Sequence, residues 1–267
     1  MKYCMMCGNR LEENARFCDR CGARQPEADM YASSQTAAMT VEQPIAPQKK
    51  KFDWQIPKDS AGEQLTIQQY NALLAGLLLY GFALCTVICH AFAIDLMMSN
   101  PIVLAVVYLV CAFIGGYMAN RSRSTAVRFV GFNLIVGPSG AIVAACLPYY
   151  HYETVLYAVL GTALIAGVML VAALVRPQMF EGLGSVLLLS LISVIVVETI
   201  LLIFFGRSST FIDVAVIVIM AGFVGYDFIE ANKAYRTAGN AIAFAIDLYL
   251  DLINIFIRLL SIFGSRE

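Results

Sequence analysis

From residue 71 to residue 263 the chain is almost continuously apolar, broken only by brief polar separators. No other feature constrains the fold as strongly. A helix needs about 20 apolar residues to cross the hydrocarbon core of a bilayer. Seven runs of that kind fit between the separators: 71–94, 101–119, 127–147, 152–175, 183–205, 211–231 and 240–263. Backbone N–H and C=O groups in lipid must be satisfied within each span, and a helix does this alone. Short loops between long helices predict a compact antiparallel bundle. Across the whole chain 60% of residues are hydrophobic and 14% charged. A soluble domain carries about 25% charged residues, so this balance excludes one.

The remaining polar residues gather at the N-terminus, which makes a small soluble head on a large membrane body. Eight cysteines divide along the same line. Cys4, Cys7, Cys18 and Cys21 form C-x2-C-x10-C-x2-C, whereas Cys85, Cys89, Cys111 and Cys146 are scattered through apolar runs. Two C-x-x-C turns bring four thiolates to one tetrahedral ion, and Gly8 and Gly22 suit the tight knuckles that follow each second cysteine. Residues 1–23 hold too few large apolar side chains for a core, so a structural Zn2+ would supply most of their folding free energy. Four thiolates leave no open position for catalysis. The competing assignment, two disulfides, requires an oxidising compartment. The pattern resembles the short zinc ribbons at the start of many bacterial and archaeal membrane proteins.

Residues 24–69 carry Pro26, Pro44, Pro47 and Pro57 among Ser, Thr, Gln and Ala, without helical or strand periodicity; they read as a flexible linker and juxtamembrane segment. Lys49, Lys50 and Lys51 suit anionic headgroups and Trp54 suits the interface. No signal peptide is expected, since the first residues are those of the cysteine knuckle.

The cationic residues orient the bundle. With the N-terminus in the cytoplasm, the inner segments hold Lys49, Lys50, Lys51, Lys58, Arg121, Arg123, Arg128, Arg176, Lys233 and Arg236, against Arg207, Arg258 and Arg266 outside. The expected location is the plasma membrane, multi-pass, with the cysteines on the reducing side. A formal net charge of −1 offers no field for nucleic acid.

An ionisable group at mid-bilayer costs about 2.5–3.5 kcal/mol on insertion scales, so each one retained asks for a reason. Asp95, Glu153 and Asp213 fall near span ends, where water is close, and need no function. Glu198 lies deep in span five. Asp247 and Asp251 are four apart and share a face of span seven, with Asn254 continuing the stripe. Asp227 stands near the end of span six, with Glu230 one turn on. Spans six and seven are joined by a short loop, so Asp227 can approach the Asp247/Asp251 face. Two carboxylates held close in low dielectric do not both ionise cheaply; they share a proton or recruit a cation. Arg121 or Arg123, leaving span two on the same side, could compensate them.

Gly225-Tyr226-Asp227 and Leu248-Tyr249-Leu250-Asp251-Leu252-Ile253-Asn254-Ile255-Phe256 resemble the end of the Bax inhibitor-1 (transmembrane Bax-inhibitor-motif) family. Gly137-Pro138-Ser139-Gly140 and Val159-Leu160-Gly161-Thr162-Ala163 are similar to its weaker internal signatures. The likeness spans the membrane body, residues 70–267, and the zinc ribbon is an addition to it. The resemblance implies an all-α seven-helix bundle with a central last helix, and a pH-sensitive calcium leak gated by an aspartate pair. Asp227 and Asp251 match that pair, and Arg121 or Arg123 matches the family's arginine near the end of the second helix. Asp247 stands where bacterial members commonly carry serine, so the family's pH set-point does not transfer.

Other assignments fit less well. An intramembrane aspartyl protease needs a Gly-x-Gly-Asp turn, and Leu248-Tyr249-Leu250-Asp251 has no glycine. Gly137-Pro138-Ser139-Gly140 superficially matches a rhomboid serine, but the only histidines are His90 and His151, and neither is placed to act as its base. No enzyme is expected. The thiols of Cys85 and Cys89 are expected to pack. The alternative to a Ca2+ leak is a non-conducting regulator that binds a membrane protease or another membrane protein.

Overall fold

The computed structural model describes residues 2–3, 10–12, 17, 63–205 and 209–264. The chain divides into two compact units, residues 1–54 and 55–267. In the first, β1 (Lys2–Tyr3) and β2 (Arg10–Leu11) form an antiparallel ladder, with Lys2 opposite Leu11 and Tyr3 opposite Arg10. Cys4, Cys7, Cys18 and Cys21 lie outside the described residues.

The second unit is all helical: α1 (Ile67–Met97), α2 (Pro101–Arg121), α3 (Thr125–Cys146), α4 (Tyr152–Val175), α5 (Gly184–Phe205), α6 (Thr210–Lys233) and α7 (Ala238–Phe263). Their starts are written locally. Thr66 and Gln69 form a reciprocal capping box before α1. Asn100 caps α2 through the Ile102 N–H at 2.9 Å, with Pro101 in the first turn where no donor is lost. Thr237 caps α7 through the Asn240 N–H. Just before α1, the Leu65 N–H donates to the Arg236 carbonyl in the turn between α6 and α7, at 2.8 Å.

Six of the helices, α1 to α6, are long and apolar enough to cross a membrane. The protein is therefore multi-pass, and its outer surface carries the apolar side chains that lipid requires, with Leu160, Leu164, Val171, Ile203 and Phe204 among those exposed. α7, which bears Asp247, Asp251 and Arg258, is not one of those six. It is the most enclosed helix of the bundle, with fourteen buried residues from Asn240 to Leu260. It packs against α1, α2, α3, α4 and α6, and reaches α5 through Arg258. A helix screened by protein can hold polar groups that one facing lipid cannot.

The core is built around α7. Tyr249 is fully buried, its ring against Phe82 and Phe132 at centroid separations of 5.3 and 6.5 Å. Its hydroxyl lies 3.2 Å from Ser139 Oγ, so α3 and α7 are joined by a polar contact inside an apolar layer. α2 and α3 approach closely at two glycines. A Cβ on Gly115 would stand 2.6 Å from the Gly131 carbonyl, and the reverse substitution would clash as tightly. Small residues of this kind let membrane helices meet backbone to backbone.

Candidate functional site

The antiparallel pair α6 and α7 positions the acids. Counting toward the short turn between them, Asp227 is six residues from the end of α6 and Asp247 is nine residues after the start of α7. Asp227 and Asp251 come within hydrogen-bonding reach of each other, while Asp247 acts on both through space and Glu230 acts on Asp227. Asp251 is 7% exposed and its Oδ2 is buried with no donor reaching it. Two carboxylates can bond to each other only through a shared proton. Contact between Asp227 and Asp251 is thus the geometry of a pair that shares one proton. Among the described residues, no group of three or more acids, histidines or cysteines is arranged to hold a metal ion.

The structure does not bring Arg121 or Arg123 to these acids. Both are exposed at the C-terminal end of α2 and in the turn after it. Their guanidinium groups stay in water, where no desolvation cost arises. The buried arginine of this region is Arg128, 3% exposed, whose Nε donates to the Ser122 carbonyl at 2.7 Å. Its side chain lies against the first turn of α7, where a Cβ on Gly239 would stand 2.8 Å from Nη1. Glycine at 239 leaves that space. The signal was present in the sequence: Arg128 interrupts the apolar run of span three, whereas Arg121 and Arg123 occupy a separator.

A second cluster was not legible as a unit. Arg258 of α7 grips Glu198 of α5 with both terminal nitrogens, Nη1 to Oε1 at 2.6 Å and Nη2 to Oε2 at 2.7 Å. Nη1 also donates to Asp213 Oδ1 of α6 at 2.9 Å, and Ser261 Oγ donates to Asp213 Oδ2 at 3.1 Å. Forked pairing of this kind is the strongest geometry available to a guanidinium. It explains why Glu198 is tolerated deep in a span and shows that Asp213, 3% exposed, is enclosed and not rinsed by solvent. Arg258, Glu198 and Asp213 lie 60 and 45 residues apart in sequence, so no local spacing joins them.

Cys85 and Cys89, four residues apart on α1, have their side chains in contact with each other, and Cys89 Sγ faces the Gly140 carbonyl at 3.9 Å. They fill the gap between α1 and α3, as small thiols do.

Comparison with known proteins places both units. Residues 63–267 match the family described as inhibitor of apoptosis-promoting Bax1, and residues 3–25 match the zinc-ribbon domain. Uncharacterised membrane proteins of Streptococcus pyogenes serotypes M3, M1 and M6 are each 27% identical to this chain over 184 residues, covering 65% of it and 80% of the relative.

Proposed function

From the premise that this chain belongs to the Bax inhibitor-1 family and opens with a zinc-ribbon domain, we propose that its membrane body is a calcium leak gated by protonation of the Asp227–Asp251 pair. One observation carries the reading: two enclosed carboxylates from adjacent helices touch, and among the described residues no donor reaches Asp251 Oδ2. A proton between them makes a hydrogen bond; its loss leaves two facing anions that repel in a low-dielectric interior. The α6–α7 contact thus has two packings selected by one proton, the minimum needed for a switch. Asp247 and Glu230 add negative charge beside the pair and would draw a cation toward it. Calcium is the cargo, and no enzymatic step is assigned.

Calcium efflux from proteoliposomes, measured across a pH series, tests this. Wild type should respond to pH, and Asp227→Asn or Asp251→Asn should remove the response. A wild-type protein that passes no calcium at any pH would sink the leak.

The ribbon favours a second role beside the first. Its donor set, Cys4, Cys7, Cys18 and Cys21, fits a closed tetrahedral Zn2+ site, and such a site is structural. A domain held by a metal adds nothing to conduction; it serves as a docking module, with the N-terminus in the cytoplasm of a plasma-membrane protein as the positive charges favour. Metal analysis should find one zinc per chain, lost in Cys4→Ser/Cys7→Ser, with the helical body still folded.

A further inference from the structure

Asp247, Asp251, Asn254, Arg258 and Ser261 follow one another along α7 at steps of four, three, four and three residues. That spacing keeps all five on one stripe of the helix. On α6 the facing acids, Asp227 and Asp213, are fourteen residues apart, near enough to four full turns to share a face. The antiparallel register sets Asp227 against Asp251 and Asp213 against Arg258 and Ser261. A polar seam therefore runs along α6 and α7 through an otherwise apolar bundle. The acid pair lies on it, and Arg258 stands about 10 Å further along the axis, seven residues on at 1.5 Å each.

We propose that Arg258 is a tethered cation that closes the far end of this seam. Glu198 and Asp213 spend all four of their carboxylate oxygens on Arg258 and Ser261. Two acids at the mouth of a cation path would otherwise invite an ion from solution. The guanidinium takes that position permanently, because it is attached to α7 and does not lose its proton. It occupies the position that Glu198 and Asp213 would otherwise offer to a cation on its way to Asn254 and Asp251, and its planar fork fills the gap where α5, α6 and α7 converge. The arrangement rests on the leak reading for its purpose, but the closure itself is a statement about access.

Access can be read without flux. Asn254→Cys places a reporter on the seam between the two clusters. Its modification by a membrane-impermeant trimethylammonium-ethyl methanethiosulfonate is followed by mass spectrometry of the α7 peptide, so the native cysteines do not interfere. Arg258→Gln alone strands two enclosed carboxylates and can fail to fold. The working variant is therefore Arg258→Gln/Glu198→Gln, in which the amides bond to each other and the net charge of the cluster is unchanged. Relative to the otherwise wild-type reporter, modification should accelerate about tenfold or more, the scale of a coupling constraint removed, with a smaller gain for a neutral reagent of similar size. Arg258→Lys keeps the tethered charge without the fork, so its modification rate should fall between wild type and the double variant.

Faster modification together with faster calcium efflux supports the plug and the leak. Faster modification while no protein passes calcium, wild type included, keeps the plug and discards the leak. Unchanged modification in the folded double variant overturns the plug whatever the efflux does. So does an equal gain for the neutral reagent, which would mean the bundle had merely loosened.

Discussion

Two groups of ionisable side chains occupy one stripe of α7, and they satisfy their charges in opposite ways. At Arg258 every carboxylate oxygen of Glu198 and Asp213 receives a donor from the protein itself. At Asp251 the neighbours are Asp227 and Asp247, and Oδ2 receives none. The first cluster is complete without anything from solution. At the second, no donor reaches Asp251 Oδ2 among the described residues. On the proposed reading the same helix thus carries a fixed point and a responsive one, distinguished by whether the carboxylate oxygens have donors. In that proposal a buried group becomes a sensor through its missing partner, not through burial alone.

The contrast can be broken first at its stable end. Arg258→Gln leaves Glu198 and Asp213 enclosed and uncompensated, so unfolding in detergent should require about 3 kcal/mol less, the lower part of the range for a buried pair that loses one member. An unchanged denaturation midpoint would mean that the ion pairs are only an ornament of the surface. The responsive end should behave in the reverse sense. Asp251→Asn gives the pair a permanent N–H donor and removes one charge, so stability above neutral pH should hold or rise by about 1 kcal/mol. The midpoint should also vary less with pH than that of wild type. A loss of several kcal/mol there would show that the carboxylate is structural. Within the stretch of α7 that bears Asp247 and Asp251, Tyr249→Phe removes the hydroxyl facing Ser139. Because Ser139 still donates to the Val136 carbonyl at 2.9 Å, the cost should be about 0.5–1 kcal/mol, with the pH response of efflux intact. The smallest effect is expected where the charges are already in water: Arg121→Gln and Arg123→Gln should change stability by less than about 0.5 kcal/mol and leave the pH profile of efflux unmoved. A shifted profile would reconnect these exposed arginines to the acids.

Much of the body was legible because lipid imposes a simple rule on sequence. Apolar length gave the helices, although α1 begins at Ile67, four residues ahead of the expected span and inside the segment expected to be linker, because Thr66 and Gln69 cap it there. The proximity of Asp227 to the Asp247/Asp251 face was legible too, since a short turn joins their helices and leaves little freedom. Arg258 with Glu198 and Asp213 was not, because three helices must pack before those groups meet; Asp213 and Arg258 taken alone resemble span-end charges, and Glu198, deep in span five, has no partner close in sequence. Arg128 was obscured differently. It was counted among the positive charges that orient the bundle, and that counting ignores whether a side chain faces water or the interior. Asp213 shows the same limit: nearness to a helix end does not mean nearness to solvent, because neighbouring helices cover it.

The hydrogen bond from the Leu65 amide to the Arg236 carbonyl has a mechanical implication. It splices the stretch leading into the first helix onto the hinge that fixes how far the last two helices stand apart. Anything that pulls on, anchors or shortens the chain ahead of that splice delivers its load to the hinge, nine residues along the chain from Asp227. A head domain gripping another molecule would therefore need no contact with the bundle to bias it; tension along the backbone would suffice.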